Sequence, residues 1–290
     1  MQSHLTHGLQ RGRPDATKVS EYQEAHHRPR GSEPIRAGLI VPSSNVTMER
    51  ELPAMFARRE VAEPERFSFH SSRVRMRTVT PEALAAMNAQ ATRATQELAD
   101  ASVDVLVYAC LVALMAEGPG AHRQAEQRLR AILAAEGHPA PVVSSAGALV
   151  DTLQLMGARK VAVITPYLPA LTQRVCDYIA AAGLVVEEAR SLAVADNSAV
   201  GRLDPQRLLG IADELSRNVD VVVLSACVQM PSLPVIEAAE ARLGVPVISS
   251  ATATTFQALR QLGLSTRIAG AGHLLSGAFD STDSLVEARG

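Results

Sequence analysis

Two stretches of the chain repeat one arrangement, in which a run of apolar, mostly β-branched residues leads into a cysteine. The first runs from Val103 to Cys110 and the second from Val219 to Cys227. A short continuous apolar run of this kind predicts a strand that is buried on both faces, as in parallel sheets. Each cysteine is therefore expected at the carboxyl end of a parallel strand, where α/β proteins place their functional groups.

The repetition extends to both sides of the cysteines. Pro-Val-Val-Ser-Ser at 141–145 recurs as Pro-Val-Ile-Ser-Ser at 246–250, and Gly-Leu-Ile-Val-Pro at 38–42 matches Ala-Val-Ile-Thr-Pro at 162–166. Strand-like and helical patterns alternate throughout, which is typical of parallel sheets with helices on both faces. We therefore predict an α/β chain of two similar lobes, each of which offers one thiol to a shared cleft.

Composition and charge exclude several classes of protein. The chain has 290 residues, of which 47% are apolar, and a formal net charge of -2. Interspersed acids and bases leave no basic stripe for nucleic acid and no polybasic membrane anchor. No apolar run approaches the roughly 20 residues that span a bilayer, and the N-terminus lacks the apolar core of a secretory signal. We expect a cytoplasmic protein that binds neither nucleic acid nor a membrane.

The three cysteines are expected to be free thiols, because a reducing compartment disfavours disulfides. Cys176 lies in a helical pattern and is interpreted as a small buried apolar residue. Cys110 and Cys227 are interpreted as functional, because their location is repeated. No Cys-x-x-Cys pair, histidine cluster, Walker motif or Gly-x-Gly-x-x-Gly follows any predicted strand, so we expect no metal and no cofactor.

Polar residues at two predicted helix starts allow two interpretations. Ser43, Ser44 and Asn45 follow the first strand, where they can cap the next helix, and where free backbone N–H groups also favour an anion. Capping alone would explain these residues, so the sequence leaves both interpretations open. We take His122 and Arg123, near the start of a later helix, as surface or capping groups, with contact to a substrate as the alternative.

Five motifs in the same order make the chain resemble the maleate cis-trans isomerases, a branch of the aspartate/glutamate racemase superfamily. The resemblance covers about residues 36–270. The motifs are Val-Pro-Ser-Ser-Asn-Val-Thr-Met-Glu at 41–49, Tyr-Ala-Cys-Leu-Val-Ala at 108–113, Ile-Thr-Pro-Tyr at 164–167, Ala-Asp-Asn at 195–197 and Ala-Cys-Val-Gln-Met-Pro-Ser-Leu at 226–233.

The resemblance implies a domain organisation and an assembly. It implies two pseudo-symmetric, Rossmann-like lobes with a small dicarboxylate closed between them. The N-terminal lobe would comprise residues 35–144 and 251–290, and the C-terminal lobe residues 145–250. Residues 1–34 combine many charges with almost no apolar periodicity, and we expect them to form a flexible extension. A homodimer and a closing motion of the lobes are also implied.

The resemblance further implies the roles of individual residues. Cys110 would be the nucleophile and Cys227 the second catalytic thiol. The groups that would hold the substrate carboxylates are the side chains of Asn45, Tyr167 and Asn197 and the backbone N–H groups near Leu111, Val112 and Val228.

These residue types suit a cofactor-independent isomerisation of maleate to fumarate. Addition of the Cys110 thiolate to C2 would turn the double bond into a single bond that rotates, through a succinyl-cysteine-type intermediate. Cys227 would supply and retrieve a proton at C3. A helix N-terminus beside Cys110 is expected to favour the thiolate.

Three alternatives share the same scaffold or residues. An amino-acid or hydantoin racemase would use the two thiols to remove and return a proton at one carbon. An arylmalonate decarboxylase would keep one cysteine of the pair, which disfavours that reading. A non-catalytic sensor of small diacids would have both thiols merely packed.

Overall fold

The computed structural model describes residues 33–215 and 217–280 of the chain. The flexible extension predicted for residues 1–34 therefore lies outside the described residues, except for its last two positions. Residues 281–290 of the predicted N-terminal lobe lie outside them as well.

Four parallel strands in the first half form one sheet in the order β2-β1-β3-β4. The strands are β1 (Ile35–Pro42), β2 (Phe67–Val74), β3 (Val105–Tyr108) and β4 (Val142–Ser144). All residues of β3 are buried, whereas β2 lies at the edge and is largely half-buried. The first cysteine-bearing run is thus a central strand covered on both faces, as its continuous apolar pattern predicts.

The second half repeats this topology with a sheet in the order β6-β5-β7-β8, again all parallel. Its strands are β5 (Lys160–Thr165), β6 (Val185–Ser191), β7 (Val221–Ser225) and β8 (Val247–Ser249). The strand before Cys227 is therefore also second from the end of its sheet, and fully buried. The predicted α/β fold of two pseudo-symmetric Rossmann-like lobes is confirmed.

Helices connect the strands and cover both sheets. They are α1 (Met48–Arg59), α2 (Pro81–Asp100), α3 (Leu111–Met115), α4 (Ala121–Ala135), α5 (Ser145–Leu155), α6 (Pro169–Ala181), α7 (Asn197–Val200), α8 (Gln206–Asp213), α9 (Ile236–Leu243) and α10 (Ser250–Gln261). Two 3₁₀ turns, Leu233–Val235 and His273–Leu275, complete the described structure. None of the described helices is long and apolar enough to cross a membrane.

Helices α5 and α10 occupy equivalent places after β4 and β8 and pack against each other. Each begins at a serine whose hydroxyl accepts a backbone N–H: Ser144 from Gly147 and Ser249 from Thr252. This capping explains why the repeated Ser-Ser sequence ends both strands, since the first serine of each pair caps the following helix. Helix α10 contacts α1, β3 and β4 as well as β8. The division of the chain at residues 144/145 and 250/251 stays a prediction.

Buried polar contacts also join the two halves. The carboxylate of Glu51, on α1, accepts hydrogen bonds from the backbone N–H groups of Ser232 (2.8 Å) and Leu233 (2.9 Å). His122, on α4, hydrogen-bonds the hydroxyl of Tyr178, on α6. The interpretation of His122 as a surface or capping group is wrong, because its side chain is 97% buried in this contact, whereas Arg123 is exposed.

Candidate active site

Cys110 stands at the carboxyl end of β3, at the position that precedes α3. Its side chain is buried. Burial raises the pKa of the Cys110 thiol to about 12, and the Ala113 N–H acts in the opposite direction. The expected help from the helix start is therefore present but is outweighed by the loss of water around the sulfur.

Cys227 follows β7 in the equivalent place, but a non-helical turn comes after it. The hydroxyl of Ser225 holds this turn by donating to the carbonyls of Cys227 (2.8 Å) and Met230 (3.1 Å). Burial raises the pKa of the Cys227 thiol, whereas hydrogen bonds from the Tyr167 hydroxyl and from the backbone N–H groups of Gln229 and Met230 lower it. Cys227 thus has more hydrogen-bond donors for a thiolate than Cys110 has.

The two thiols and Tyr167 share one site. The negative form of Cys227 is close enough to raise the pKa of Cys110, and both sulfurs raise the pKa of Tyr167. Burial is the largest cause of the high pKa of Tyr167, which keeps its hydroxyl protonated and available as a donor. The structure thereby brings together one thiol from each half, as the repeated sequence predicts.

Asn45 lies in the loop between β1 and α1, and its amide has a fixed orientation. Its Oδ1 accepts the backbone N–H groups of Thr47 (3.0 Å) and Met48 (2.9 Å), so the side chain caps the start of α1. The side chain is buried, and its Nδ2 has no hydrogen-bond partner among the described residues. Because a buried amide donor without a partner is costly, this group is ready to bind an anion. The capping interpretation of the 43–45 segment is therefore confirmed for Oδ1, whereas anion binding, through Nδ2, stays a prediction.

Asn197 begins α7 in the second half and reaches across to the first. It is buried, and its Nδ2 donates to the hydroxyl of Ser44 at 2.7 Å. The two asparagines are thus held in neighbouring segments, since Ser44 directly precedes Asn45. One donor hydrogen of the Asn197 amide remains for a ligand after this bond is made.

Leu111, Val112 and Val228 are buried and directly follow the two cysteines. Leu111 and Val112 form the first two positions of α3, where backbone N–H groups have no acceptor within the helix. Val228 lies in the turn after Cys227. These N–H groups therefore belong to the segments that carry the thiols, and their contact with a substrate carboxylate stays a prediction.

Asn88, on α2, supports the Cys110 segment and was not singled out from the sequence. Its Nδ2 donates to the carbonyl of Ala113 (2.9 Å) and to Glu117 (2.7 Å), and its Oδ1 accepts the hydroxyl of Tyr108. The side chain thus ties the end of β3 to α3 on both sides of Cys110. The sequence could have indicated Asn88, because an asparagine on the buried face of a helix needs hydrogen-bond partners.

Gln229, two residues after Cys227, is the second residue that sequence reasoning missed. It is buried and bonds across the two halves of the chain. The sequence could have indicated Gln229, because a polar residue in the turn after a buried strand needs hydrogen-bond partners.

A cavity of about 570 Å³ reaches the site at Tyr167. Its walls come from both halves and are mainly apolar, with Leu84 and Ala113 on one side and Leu171 on the other. Within residues 33–215 and 217–280, no three His, Cys, Asp or Glu side chains come close enough to share a metal ion.

Comparison with known proteins gives one consistent result. The family model of arylmalonate decarboxylase matches residues 37–275. The maleate isomerase of Geobacillus stearothermophilus is 52% identical over 247 residues, which cover 84% of this chain and 98% of that protein.

Two solved structures share both sequence and fold with the chain. A maleate isomerase from Pseudomonas putida S16, crystallised with maleate, has a TM-score of 0.85 and 49% identity, covering 86% of this chain and 100% of that one. A cysteine-to-serine mutant of the Nocardia farcinica maleate cis-trans isomerase, with a covalently bound succinylcysteine intermediate, has a TM-score of 0.81 and 47% identity, covering 84% and 99%. The chain therefore belongs to the family that includes arylmalonate decarboxylase and the maleate isomerases.

Proposed function

We propose that the protein catalyses the cis-trans isomerisation of maleate to fumarate without a cofactor. The observation that carries the proposal is the pair of buried thiols, one from each half, which lie close enough for the charge of one to affect the other. Sequence identity of about half to maleate isomerases, over nearly their whole length, supports it. So does the succinylcysteine found in the Nocardia farcinica relative, because a covalent adduct of this kind requires a cysteine nucleophile.

In the proposed reaction, the Cys110 thiol first releases its proton to water, which returns it at the end of the cycle, and the thiolate adds to C2 of maleate. The π electrons move toward C3 and into its carboxylate, and the C2–C3 bond becomes single. Cys227 donates its proton to C3, which gives a succinyl group on Cys110 and a thiolate at Cys227. After rotation about C2–C3, Cys227 takes a proton back from C3, the carbon–sulfur bond breaks, and fumarate leaves. Atoms and charge are thus conserved, and the enzyme returns to its starting state.

The different surroundings of the two sulfurs support this division of roles. Cys227 becomes a thiolate when it gives up its proton, and the Tyr167 hydroxyl and the Gln229 N–H already donate to its sulfur. Preorganised donors at a site of developing charge stabilise that charge without reorganisation. At Cys110 only the Ala113 N–H lowers the pKa, so a thiolate there is less stabilised and more reactive than one at Cys227.

The proposed carboxylate contacts are Asn45, Tyr167 and Asn197, with the N–H groups near Leu111, Val112 and Val228. The free Nδ2 of Asn45 is the strongest single support, because its orientation is set before any ligand arrives. A homodimer, a cytoplasmic location and the lobe boundaries given above are also part of the proposal. They are supported by the resemblance and the soluble composition.

The function is tested by offering maleate, maleamate, aspartate and glutamate to the purified full chain without added metal or cofactor. We expect fumarate from maleate, followed by proton NMR, and no loss of configuration in the two amino acids. Racemisation of aspartate or glutamate in the absence of fumarate formation would favour a racemase. A rise in the thermal midpoint of the protein with maleate, without any turnover, would favour a non-catalytic sensor of diacids.

Substitution of the thiols should separate their roles. Cys110→Ala should abolish isomerisation, because the covalent bond to the substrate is proposed to form at the Cys110 sulfur. Cys227→Ser should slow turnover by about 10²- to 10⁴-fold, the usual contribution of general acid–base catalysis. Mass spectrometry of Cys227→Ser with maleate should show one substrate mass on Cys110, and an adduct elsewhere would contradict the assignment. Cys176→Ala, which changes a buried helical thiol on α6, is the control and should retain activity.

The high pKa of Cys110 should be visible in its alkylation by iodoacetamide. Only the thiolate reacts, so below a pKa of about 12 the rate should rise about tenfold for each pH unit, without levelling off, between pH 7 and pH 9. Peptide mass spectrometry measures the rate, with glutathione in the same tube as an internal standard. A plateau for Cys110 below pH 9 would show that the protein holds this sulfur as a resting thiolate.

Asn45→Asp should weaken substrate binding while it preserves the fold. Aspartate caps a helix as well as asparagine does, so the bonds from Thr47 and Met48 remain. The variant replaces a free donor by a carboxylate oxygen that repels the substrate dianion. We expect KM for maleate to rise by about 10- to 100-fold, the loss for one hydrogen bond to a charged group, with a thermal midpoint near that of the wild type. An unchanged KM would remove Asn45 from the binding site.

A further inference from the structure

The side-chain amide of Gln229 connects the three segments that carry the proposed substrate groups. It is 98% buried and lies in the turn after β7, two residues beyond Cys227. Its own backbone N–H donates to the sulfur of Cys227 at 3.4 Å. The residue is therefore anchored at one thiol before its side chain makes any contact.

The four hydrogen-bonding positions of the Gln229 amide are all used. Its Oε1 accepts the backbone N–H groups of Val46 (2.9 Å) and Thr47 (3.4 Å). Its Nε2 donates to the carbonyls of Ser44 (2.9 Å) and Asn197 (3.0 Å). An amide has two acceptor sites on oxygen and two donor hydrogens on nitrogen, so this set fixes its orientation completely.

These bonds surround Asn45 and include Asn197 itself. Ser44 and Val46 are the two chain neighbours of Asn45, and both are held by the one amide. The Asn197 backbone is held by the same amide, while the Asn197 side chain bonds Ser44. The Gln229 side chain therefore holds the two asparagines relative to each other and to Cys227, together with the direct bond between Asn197 and Ser44.

The amide has no room to shift toward α7. A Cβ atom placed on Gly201, at the end of α7, would lie 2.8 Å from Nε2 of Gln229 and 2.9 Å from the side chain of Val46. Only glycine permits this close approach, since a distance under 3.0 Å forces a neighbour to move. The segment that carries Asn197 is thus packed directly against the amide that holds it.

We propose that Gln229 is a positioning residue that sets the spacing between Asn45 and Asn197, and thereby the length of dicarboxylate that the site accepts. The inference rests on the proposed function, in which the two asparagines bind the substrate carboxylates. A four-carbon cis-diacid has its carboxylates at a short, fixed separation, so the two donors must be held at a matching one. Reaction rates are sensitive to such placement, and a shift of about 1 Å typically costs about 100-fold.

The test uses Gln229→Met and Gln229→Glu in the full chain. Methionine has a similar length but makes none of the four hydrogen bonds. Glutamate retains acceptors for Val46 and Thr47 but presents an oxygen to the carbonyls of Ser44 and Asn197. Both variants should lose about 100-fold in kcat/KM for maleate, because the two asparagine donors are no longer held at the separation of its carboxylates. The alkylation profile of Cys110 should stay unchanged, because Gln229 does not contact that thiol.

Gln257→Met is the matched control. Gln257, on α10, donates to the hydroxyl of Thr152, on α5, at 3.0 Å, so this variant also removes a partly buried amide bond between packed segments. It should lower the thermal midpoint while it keeps kcat/KM for maleate. Equal kcat/KM for the wild type, Gln229→Met and Gln257→Met would overturn the positioning role. So would equal losses in the two methionine variants, which would indicate general destabilisation.

A binding measurement separates failure of the inference from failure of the proposed function. In the Cys110→Ala background, the thermal shift produced by maleate, malonate and glutarate reports affinity without turnover. Gln229→Met should flatten the preference among these three lengths. If the wild type does not isomerise maleate, the proposed function fails, and the thermal shifts still decide whether Gln229 sets the accepted length. The inference would be contradicted if Gln229→Met left both the order of the three thermal shifts and the differences between them unchanged.

Discussion

Parallel pairing of every strand in the two sheets places the segments after β3 and β7 at the carboxyl edge of each sheet. Helices α5 and α10 pack against each other at the junction of the halves, each capped by the serine that ends the preceding strand. This arrangement brings a thiol from each half into one buried site. The remaining features of the site depend on it, because neither half contains two thiols of its own at a strand end.

Burial of the site strengthens its binding of a diacid but lowers the reactivity of its two thiols. Removal of water strengthens each hydrogen bond to a bound diacid, yet it also raises the pKa of both thiols. The donors are unequally distributed, with Tyr167 and two backbone N–H groups at Cys227 and one N–H at Cys110. A reaction in which one sulfur attacks carbon and the other carries a proton suits this inequality. Two symmetric lobes thus provide an asymmetric pair of thiols.

The asymmetry arises from the segments that follow equivalent strands. Cys110 leads into α3, whereas Cys227 leads into a turn held by Ser225. Asn45 follows β1, and Tyr167 follows the equivalent strand β5. Divergence of these loops changes the chemistry of each half, while the strands and the serine caps preserve the shared architecture. Short polar segments at strand ends tolerate such change because they carry little of the buried core.

Local pattern was sufficient for the strands, the order of the elements and the two thiols, because continuous apolar runs and Ser-Ser caps act over a few residues. His122 was misjudged, and Asn88 and Gln229 were overlooked, for one reason: the partners of their side chains are 20 to 185 residues away in the chain. A histidine near a helix start resembles a surface residue until Tyr178 is packed against it.

The sequence by itself determined the α/β class, the internal repeat and the position of each cysteine at a strand end, since strand burial and helix capping are encoded by neighbouring residues. Only the tertiary structure decided that Nδ2 of Asn45 is left without a partner, that burial outweighs the helix start at Cys110, and that Gln229 joins segments of both halves. Each of these features depends on desolvation or on a hydrogen bond between distant segments. Desolvation and such hydrogen bonds arise only when the two lobes pack together in the folded protein.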